Sequence, residues 1–414
     1  MKILIIGNGG REHAIGIKII KDNPDAELFF SKGNGGTASI GTNINSQSVE
    51  ELASFAKENN IDLTIVGSEA LLVEGIVDAF IQNNLKIFGP HKAAAMLEGD
   101  KAFAKLFMQE FGVRTAHYQN FTNAEQALVF IKTQQFPLVI KATGLAAGKG
   151  VFIVNDIADA EKTIHSVMVD KSLGEAGNEI VIEEFLQGFE VSVLAVFNGK
   201  EIYPMISAKD HKKLLDNDEG PNTGGMGAVA PNPLYTKILE EDFKTHILQP
   251  TLTGLKQKNL LFAGVIFFGL MIKNNQCYLL EYNMRMGDPE TQAILPLLDD
   301  NLVPIITNAI SGNAIVMKWK QQHSCSIVLA SKGYPENPET GKIISGLENS
   351  KEDVVLTIAG ATTFENNMMT SGGRVLNVTA TATTLSEARH KAYLKIGEIN
   401  FDGMYCRNDI GIDN

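Results

Sequence analysis

Residues 279–290, which read LLEYNMRMGDPE, contain an alternating strand whose polar side chains project from one face. Glu281, Asn283 and Arg285 are separated by two positions, and side chains two apart in a strand point the same way. Carboxylate and amide oxygens are hard ligands that suit Mg²⁺, which completes its shell with substrate phosphates and water. Arg285 is then a catalytic candidate that stabilises charge on a transferring phosphoryl group. A strand with its polar face in solvent is the alternative, but the apolar run Phe262 to Ile272 predicts a buried neighbour.

A glycine-rich loop, GLAAGKG, occupies residues 144–150. It is not a Walker P-loop, because that motif needs four residues between its glycines and Ser or Thr after the Lys. The flanking runs PLVIKA and GVFIVN predict a flap between paired strands, whose backbone amides can close over phosphate oxygens. An ordinary hairpin loop with solvated lysines is the alternative. The residues assigned here to a nucleotide triphosphate are Lys101, Lys141, Gly148, Lys149 and Gly150, with Lys141 also a catalytic candidate.

An acidic strand end at 183–190, EEFLQGFE, is a candidate adenosine pocket. Glu183 and Glu184 end an apolar strand, and the backbone of Leu186 is available to the adenine edge. Glu190 is available to the ribose hydroxyls. The same spacing is equally typical of a solvated strand end, so both interpretations stand.

Residues 1–90 alternate short β-rich runs with helical patterns, which predicts a parallel βαβ domain. The first run, KILIIG, leads into Gly9 and Gly10, whose amides at a helix N-terminus can bind a substrate phosphate. A tight turn needed only for the strand-to-helix geometry is the alternative. A dinucleotide fingerprint requires glycine where Glu12 stands and an acid after the second strand, so the pattern argues against NAD.

A long polar connection between Ser207 and Pro231 has no usable periodicity. Loops of this length inside a compact domain are usually functional or disordered. His211 taken alone is more often a structural or surface histidine. As a group, the connection can hold an amine nucleophile through its aspartate and an anionic substrate through its lysines and amides. The substrate-binding candidates are Asp210, Lys212, Asn222, Thr223, Gly224 and Gly225.

Composition limits the function further. The chain has 414 residues and a net charge of -12, and this acidic balance argues against nucleic acid as the main partner. Its three cysteines are far apart and outside any CxxC pair, which indicates neither a disulfide framework nor a zinc site. The longest apolar stretch, Leu260 to Ile272, is well short of the roughly 20 residues that span a bilayer. We therefore expect a cytoplasmic protein without a membrane partner.

The periodicities predict a multidomain chain of the α/β and α+β classes. A helical period runs from Lys92 to Phe111 and closes at Gly112, and Thr384 with Glu387 caps the last helix. The expected domains are an N-terminal parallel βαβ domain at 1–100, a central domain at 101–318 with a flap subdomain at about 120–188, and a small C-terminal α+β domain at 319–414.

Motifs that extend from residue 1 to about 411 carry a family resemblance: IIGNGGREHA, DLTIVG, KIFGP, LEGDKAF, GLAAGKG, IVIEEFL, DHKKLLDNDEGPNTGGMGA, EYNMRMGDPETQ, SGGRVL and CRNDIG. Together they resemble the phosphoribosylamine-glycine ligases, or glycinamide ribonucleotide synthetases, of purine biosynthesis. The resemblance implies an N-terminal phosphoribosylamine-binding domain, a central ATP-grasp fold in two parts and a small C-terminal domain. It also implies ATP as co-substrate, Mg²⁺ or Mn²⁺ at Glu281 and Asn283, and substrate contacts at Asp288, Pro289 and Glu290.

The resemblance implies a reaction as well. The carboxylate of glycine attacks the γ-phosphorus of ATP, and the amine of 5-phosphoribosylamine opens the resulting glycyl phosphate. Such chemistry depends on positioning and charge neutralisation more than on a protein nucleophile. The chain departs from the family pattern at Thr143, where an aspartate is usual, and at Lys213, where an arginine is common. The alternatives are another ATP-grasp ligase or carboxylase and a nucleotide-binding regulatory protein without turnover. We expect a monomer or a weak homodimer.

Overall fold

The structure, a computed structural model, describes residues 1–144, 150–348 and 353–412. Gly148 and Lys149, which were assigned to the nucleotide, lie outside the described residues. Within these three ranges, no helix combines the length and the apolarity needed to cross a bilayer.

The N-terminal segment alternates strands with helices. Its elements are β1 (Lys2–Gly7), α1 (Gly10–Asp22), β2 (Glu27–Lys32), β3 (Thr42–Ile44), α2 (Val49–Glu58), β4 (Leu63–Val66), α3 (Glu69–Glu74), α4 (Ile76–Gln82) and β5 (Ile87–Phe88). The strands form a parallel sheet in the order β3-β2-β1-β4-β5, which confirms the predicted βαβ domain. The four central residues of β1 are all buried, as expected for a parallel strand covered by helices on both faces.

The helical pattern predicted from Lys92 to Phe111 is confirmed as two helices, α5 (Lys92–Gly99) and α6 (Lys101–Phe111). Asp100 separates them with an extended backbone, φ -139° and ψ 106°, and its side chain accepts a hydrogen bond from the amide of Phe103 at 3.0 Å. An aspartate in this position caps the following helix and so compensates for the break. As predicted, α6 ends at Gly112, which has a positive φ. The break makes Lys101 the first residue of α6.

The next segment of the chain contains an antiparallel sheet and two helices. Its elements are β6 (Tyr118–Phe121), α7 (Ala124–Ile131), β7 (Leu138–Ala142), β8 (Val151–Val154), α8 (Ile157–Ile164) and β9 (Ile180–Glu184). The strand order is β6-β9-β7-β8, and one buried cluster joins the sheet to α7 and α8. Because β7 and β8 pair directly, residues 144–150 connect antiparallel neighbours, as the strand-loop-strand pattern predicts.

The central segment of the chain contains helices, several short strands and a second antiparallel sheet. Its elements are β10 (Phe189–Asn198), β11 (Ile202–Pro204), β12 (Lys209–Asp210), β13 (Lys213–Leu215), β14 (Glu219–Asn222), β15 (Gly227–Ala230), α9 (Lys237–Phe243), α10 (Gln249–Gln257), β16 (Ala263–Lys273), β17 (Gln276–Asn283), α11 (Glu290–Ile294) and α12 (Leu302–Ile310). The sheet order is β11-β10-β16-β17, and β16 is largely buried, as its apolar run predicts. A bulge after Gly269 shifts the pairing so that Glu281 lies opposite that glycine.

The long polar connection is more regular than its lack of periodicity suggests, because it contains β12 to β15. The C-terminal elements are β18 (His323–Ala330), β19 (Val354–Ile358), β20 (Ala361–Phe364), β21 (Asn367–Thr370), β22 (Arg374–Ala382) and α13 (Leu385–Ile396). Strands β12 and β15 join three of them in the sheet β12-β15-β18-β22-β19. This pairing, which no local pattern indicates, brings the substrate candidates of the connection against the C-terminal sheet. At the start of α13, Thr384 accepts a hydrogen bond from the amide of Glu387, as predicted.

One hydrophobic core joins the N-terminal and central sheets. Ile5 and Phe30 belong to the same buried cluster as Val196, Val265 and Ile306. Burying each such side chain contributes about 1.5–3 kcal/mol, so this shared cluster holds the two sheets in a fixed relation. The strand ends that border the central cleft, which is the space around Glu281, Asn283 and Arg285, are therefore held on rigid elements.

Candidate active site

Two lysines converge on one buried carboxylate at the flap sheet. Lys141 on β7 has its Nζ 3.0 Å from Oε1 of Glu183 on β9, and Lys105 on α6 has its Nζ 3.2 Å from the same oxygen. All three side chains are buried. Burial lowers the pKa of Lys105 to about 8. The carboxylate of Glu183 is thus directed to the lysines that flank it, and its assignment to adenosine stays a prediction.

Two backbone contacts attach the flap to its surroundings. The carbonyl oxygen of Gly150 accepts a hydrogen bond from the amide of Ala142 at 2.8 Å, which closes the hairpin beside β7. The amide of Lys101 donates to the carbonyl oxygen of Thr143 at 3.0 Å. Burial lowers the pKa of Lys101. The start of α6 therefore carries its lysine to the base of the flap.

Glu281 and Asn283 lie side by side on β17, with Nδ2 of Asn283 3.4 Å from Oε1 of Glu281. Lys141 donates to a backbone carbonyl of the same strand at 3.3 Å. Burial opposes ionisation of Glu281, but the charges of Lys212, Lys141 and Lys101 outweigh it and lower the pKa of the carboxyl. The pair therefore faces the lysine-bearing side of the cleft, as the alternating pattern predicts.

The donor atoms of this pair suit one kind of cation. Glu281 provides a carboxylate and Asn283 an amide oxygen. In the part of the chain that the structure describes, no group of three or more His, Cys, Asp and Glu side chains could hold a metal ion. A structural zinc site needs four protein ligands, whereas Mg²⁺ is typically bound by one or two carboxylates together with water and substrate phosphates. The residues present fit the second type of site.

Arg285 follows β17 and turns towards the N-terminal domain. Its Nη2 lies 2.9 Å from Oε1 of Glu98 and 3.3 Å from Oδ1 of Asn283, and its Nε lies 3.6 Å from Oε2 of Glu69. The other oxygen of Glu98 accepts a hydrogen bond from the amide of Met284 at 2.6 Å. Burial raises the pKa of Glu98. Glu98 thus holds the end of the strand and the guanidinium in one arrangement.

The remaining nucleotide candidates lie at and after the end of β9. Glu184 accepts a hydrogen bond from the amide of His117 at 3.0 Å, so its carboxylate is directed to the neighbouring chain segment. Leu186 is buried. Glu190 forms an ion pair with Nζ of Lys212 at 2.7 Å. The structure therefore brings Glu190 to the lysine cluster but holds Glu184 at the strand end.

Two carboxyl groups, that of the buried Glu290 and that of the half-buried Asp210, lie together on the side of the cleft formed by the polar connection. Glu290, the first residue of α11, accepts a hydrogen bond from Oγ of Ser192 at 3.0 Å. Burial raises the pKa of Asp210 well above its ordinary value, and the nearby charge of Glu290 raises it further. Burial also raises the pKa of Glu290. Oδ1 of Asp210 is buried and has no hydrogen-bond partner among the described residues. A bound amine would satisfy that oxygen.

Glycine is required where the polar connection meets α11. Gly225 has a φ of +106°, and a Cβ there would lie 2.5 Å from Cδ of Pro289 and 2.7 Å from Oδ1 of Asp210. The amide of Gly225 donates to Oγ1 of Thr223 at 3.0 Å. The loop can therefore approach the two carboxyl groups only because this position lacks a side chain.

The C-terminal sheet contributes an arginine to the cleft. Arg374, the first residue of β22, donates to the carbonyl oxygens of Gly224 and Asp288, the latter at 2.8 Å, and lies 3.4 Å from Oδ1 of Asp288. The hydroxyl of Tyr334 accepts a hydrogen bond from the amide of Gly224 at 2.9 Å. Asn222 is exposed on the β13–β14 hairpin. The C-terminal segment thus fixes the conformation of the polar connection at Gly224.

Glu12 fills the glycine-rich turn after β1. One of its oxygens accepts a hydrogen bond from the amide of Gly9 at 2.7 Å, and the other accepts one from Nε of Arg11 at 2.6 Å. A Cβ at Gly7 or Gly67 would collide with this side chain. The glutamate therefore fills the place where the third glycine of a dinucleotide-binding turn allows close helix–strand packing, which is the physical reason behind the argument against NAD.

A cavity of about 380 Å³ opens beside this turn. Burial opposes the charged form of Arg11, but the carboxylates of Glu12, Asp288 and Glu69 outweigh it and raise the pKa of the guanidinium. Lys32 adds a second cation to the lining. The cavity is lined by Asn8, Gly9, Arg11, Ser31, Lys32 and Glu69, among others.

Asp288 joins the turn to α11. Its carboxylate accepts hydrogen bonds from the amide of Arg11 at 3.4 Å and from Nε2 of Gln292 at 2.8 Å. Burial opposes its ionisation, but Arg374 and Arg11 outweigh burial and lower the pKa of Asp288. Gly10 packs against Gln292, whose Nε2 would lie 2.6 Å from an added Cβ. The predicted substrate residues Gly9, Gly10 and Asp288 are thereby brought together.

Sequence reasoning missed Arg11, Glu69, Glu98, Lys105 and Arg374. The sequence could have indicated Lys105, because a lysine four residues after Lys101 lies on the same helix face. Arg11 stands directly after the predicted phosphate turn. The other three come from distant segments, and no local spacing relates them to the site.

Three family models match the chain: the phosphoribosylglycinamide synthetase N domain over residues 1–98, the ATP-grasp (A) domain over 99–291 and the C domain over 324–413. A phosphoribosylamine-glycine ligase from Fusobacterium nucleatum is 49% identical over 418 residues, covering 99% of this chain and 98% of the relative. One from Clostridium acetobutylicum is 48% identical and covers 99% of each chain.

Solved structures agree with these matches. The phosphoribosylamine-glycine ligase of Thermotoga maritima superimposes with a TM-score of 0.89 at 33% identity, covering 99% of this chain and 100% of that chain. The biotin carboxylase domain of Hydrogenobacter thermophilus 2-oxoglutarate carboxylase, solved with MgADP and bicarbonate, has a TM-score of 0.76, covering 98% of this chain and 91% of that chain. At 14% identity it shows the fold alone. The predicted fold class, with a central ATP-grasp domain, is confirmed.

Proposed function

The chain belongs to the phosphoribosylglycinamide synthetase family, and from this premise we propose that its central cleft joins glycine to 5-phosphoribosylamine. The family consists of ATP-dependent ligases of purine biosynthesis. Their reaction passes through glycyl phosphate and yields glycinamide ribonucleotide, ADP and phosphate. The proposal concerns which residues of this chain perform each part.

The position of Arg285 between two charged regions carries the proposal. On one side lie Glu281, Asn283 and their lysines, and on the other lies the cavity beside Arg11. The Nη1 atoms of Arg285 and Arg11 both donate to the carbonyl oxygen of Met286, at 3.2 and 3.0 Å. A triphosphate bound among the lysines and a sugar phosphate bound beside Arg11 would therefore meet at one guanidinium. The reaction needs this proximity, because holding the reacting groups together removes much of the entropic barrier.

The nucleotide end is assigned as follows. Lys101 and Lys141 neutralise the triphosphate, together with the flap residues Gly148, Lys149 and Gly150. The adenosine is assigned to the end of β9, with Glu183, Glu184, Leu186 and Glu190. Glu281 and Asn283 would hold Mg²⁺ or Mn²⁺, which screens phosphate charge when bound. Arg285 stabilises charge on the transferring phosphoryl group.

The other substrates are assigned to the opposite end of the cleft. The cavity beside Gly9 and Gly10 is assigned to the sugar phosphate. Two cations, Arg11 and Lys32, line it together with Glu12 and Glu69, and these two carboxylates pair with Arg11. Asp210 and Glu290 suit the amine of a substrate. Their raised pKa values make them better proton acceptors, so they can hold the amine by hydrogen bonds and receive its proton as it attacks.

The loop residues have a supporting role in this assignment. The wall around the two carboxyl groups is formed or bordered by Lys212, Asn222, Thr223, Gly224, Gly225, Asp288 and Pro289. Lys212 adds positive charge for an anionic substrate. Burial opposes its charge, but Glu190, Glu281 and Asp210 outweigh burial and raise its pKa.

A coupled assay of ADP release tests the function. We expect release to require both glycine and 5-phosphoribosylamine, and other small amino acids to be inactive in place of glycine. Glycinamide ribonucleotide should accumulate in equal amount to ADP. ADP release with another carboxylic acid, or without 5-phosphoribosylamine, would contradict the proposal.

A further inference from the structure

A second cleft of about 380 Å³ lies between α1, the segment that follows α11 and the C-terminal sheet. Gln292 lines it and separates it from Asp288 in the active site. We propose that this cleft is a binding site for a small organic anion with an apolar or aromatic body. ATP and glycine are both assigned to the other side of Gln292. The ligand of this cleft would therefore be a different molecule.

The charge of the lining points to an anion. Lys18, Lys21 and Lys320 line the cleft together with one carboxylate, Asp353, which forms an ion pair with Lys391 at 2.8 Å. Lys21 is exposed, and no ion pair involves it within the described residues. Burial lowers the pKa of Lys320, and the charges of Lys21 and Lys18 lower it further. Lys18 pairs with Asp22 at 3.0 Å and donates to the carbonyl oxygen of Leu298, and Lys320 donates to the carbonyl oxygen of Pro296. Lys21 is therefore the cation that the cleft offers to a bound anion.

The walls of the cleft point to an apolar body. Ala14 and Leu295 are buried, and Ile17 and Val355 are half-buried with part of their surface in the cleft. Small-molecule sites combine mostly apolar walls with a few placed polar groups and start at roughly 300 Å³. The volume and lining of this cleft meet both conditions. A purely inorganic anion would leave the apolar walls without a partner.

The position of Gln292 couples the cleft to the active site. Its side chain donates to Asp288 at 2.8 Å, and it lies on α11, which begins with Glu290. A ligand that moves Gln292 would therefore alter the positions of Asp288 and Glu290, whose carboxylates are assigned to substrate. We expect the KM for glycine to change when the cleft is occupied. This coupling rests on the proposed function, whereas binding itself does not.

The dye 8-anilinonaphthalene-1-sulfonate is a suitable probe, because it joins an aromatic body to one sulfonate. It is titrated by fluorescence into the full chain with a non-hydrolysable ATP analogue present, so that the nucleotide site is occupied. We expect one saturable site, weakened roughly tenfold in Lys21→Glu by the reversed charge. Val355→Trp should abolish binding by filling the cleft. Lys237→Glu, which reverses the charge of an exposed lysine on α9, serves as the control and should bind normally.

Several outcomes would overturn the inference. Equal affinity in Lys21→Glu and Lys237→Glu, or loss of binding when the ATP analogue is added, would show that the dye binds elsewhere. If Val355→Trp loses its circular dichroism signal, the comparison of the two lysine variants decides alone. Dye binding that weakens in Lys21→Glu but leaves the KM for glycine of the unaltered chain unchanged would refute the coupling through Gln292.

Discussion

Replacing Arg285 by alanine tests the central assignment most directly. Its guanidinium is 17% exposed and is held 2.9 Å from Glu98 and 3.6 Å from Glu69. Removing one preorganised stabiliser of transition-state charge typically lowers kcat by about 10²- to 10³-fold, or roughly 2.7–4 kcal/mol. We expect Arg285→Ala to fall in that range. The KM for ATP should change less, because Lys101 and Lys141 remain in place.

The substitution also leaves Glu98 without its cation. Glu98 is 9% exposed, and burial already raises its pKa, so the carboxyl should take up a proton and keep its hydrogen bond to the amide of Met284. A lost partner at a buried polar group costs about 1–3 kcal/mol of stability. Arg285→Lys keeps the charge but not the planar fork, so its kcat should lie between that of the unaltered chain and that of Arg285→Ala.

The assay is an initial-rate measurement of ADP release at saturating substrates, with thermal unfolding of each variant. Arg114→Ala is the matched control, because Arg114 is 20% exposed and pairs with Asp242 at 2.8 Å outside the Glu281 cluster. It should lose stability but keep turnover. A kcat for Arg285→Ala within about threefold of the unaltered chain, or an equal loss in Arg114→Ala, would refute the reasoning.

Three further changes test other parts of the structure. Glu281→Gln should raise the divalent-ion concentration for half-maximal activity by about tenfold or more, because the carboxylate ligand is lost; an unchanged metal titration would count against the assignment. Gly225→Ala should lower the free energy of unfolding by more than Gly341→Ala does. A Cβ at Gly341 meets only the backbone penalty of about 1–2 kcal/mol, whereas a Cβ at Gly225 also collides with Pro289 and Asp210. Equal thermal shifts would show that no collision occurs. Burial lowers the pKa of His13 to about 4, so the unfolded chain binds more protons below pH 6.5 and stability should be lost as the pH falls from 6.5 to 4, by about 2 kcal/mol at pH 5. Urea unfolding at pH 7 and 5 should show a smaller loss in His13→Asn, and an identical loss would place the effect elsewhere.

Features that have a short period could be predicted from the sequence alone. Alternation along residues 1–90 predicted the parallel sheet, and the two-residue spacing of Glu281 and Asn283 predicted their shared face. Arg285 was expected on the same strand face, but it lies beyond the end of β17 and turns towards the N-terminal domain. The glycine at 112 predicted the end of α6. Each of these depends on neighbours within a few residues, so the local geometry of helix and strand is enough to place them.

The helical pattern from Lys92 to Phe111 is confirmed, but the apolar period does not show where its two helices divide. The helical period from Lys92 to Phe111 continues through Asp100, but that aspartate caps α6 with its side chain and takes an extended backbone. The capping side chain accepts a hydrogen bond from an amide at the start of the next helix and so compensates for the backbone hydrogen bonds lost at the break. The spacing of apolar residues does not change there, so it does not reveal the break.

Which charged side chains meet depends on the packing of distant segments. Glu183 lies between Lys105 and Lys141, Glu98 reaches Arg285, and the polar connection pairs with the C-terminal sheet. These partners come from segments far apart in the chain, and their contact depends on strand order and on how the sheets pack. Periodicity reports which face of an element is buried but not which element covers it, so partner choice is set by the packing of the whole molecule.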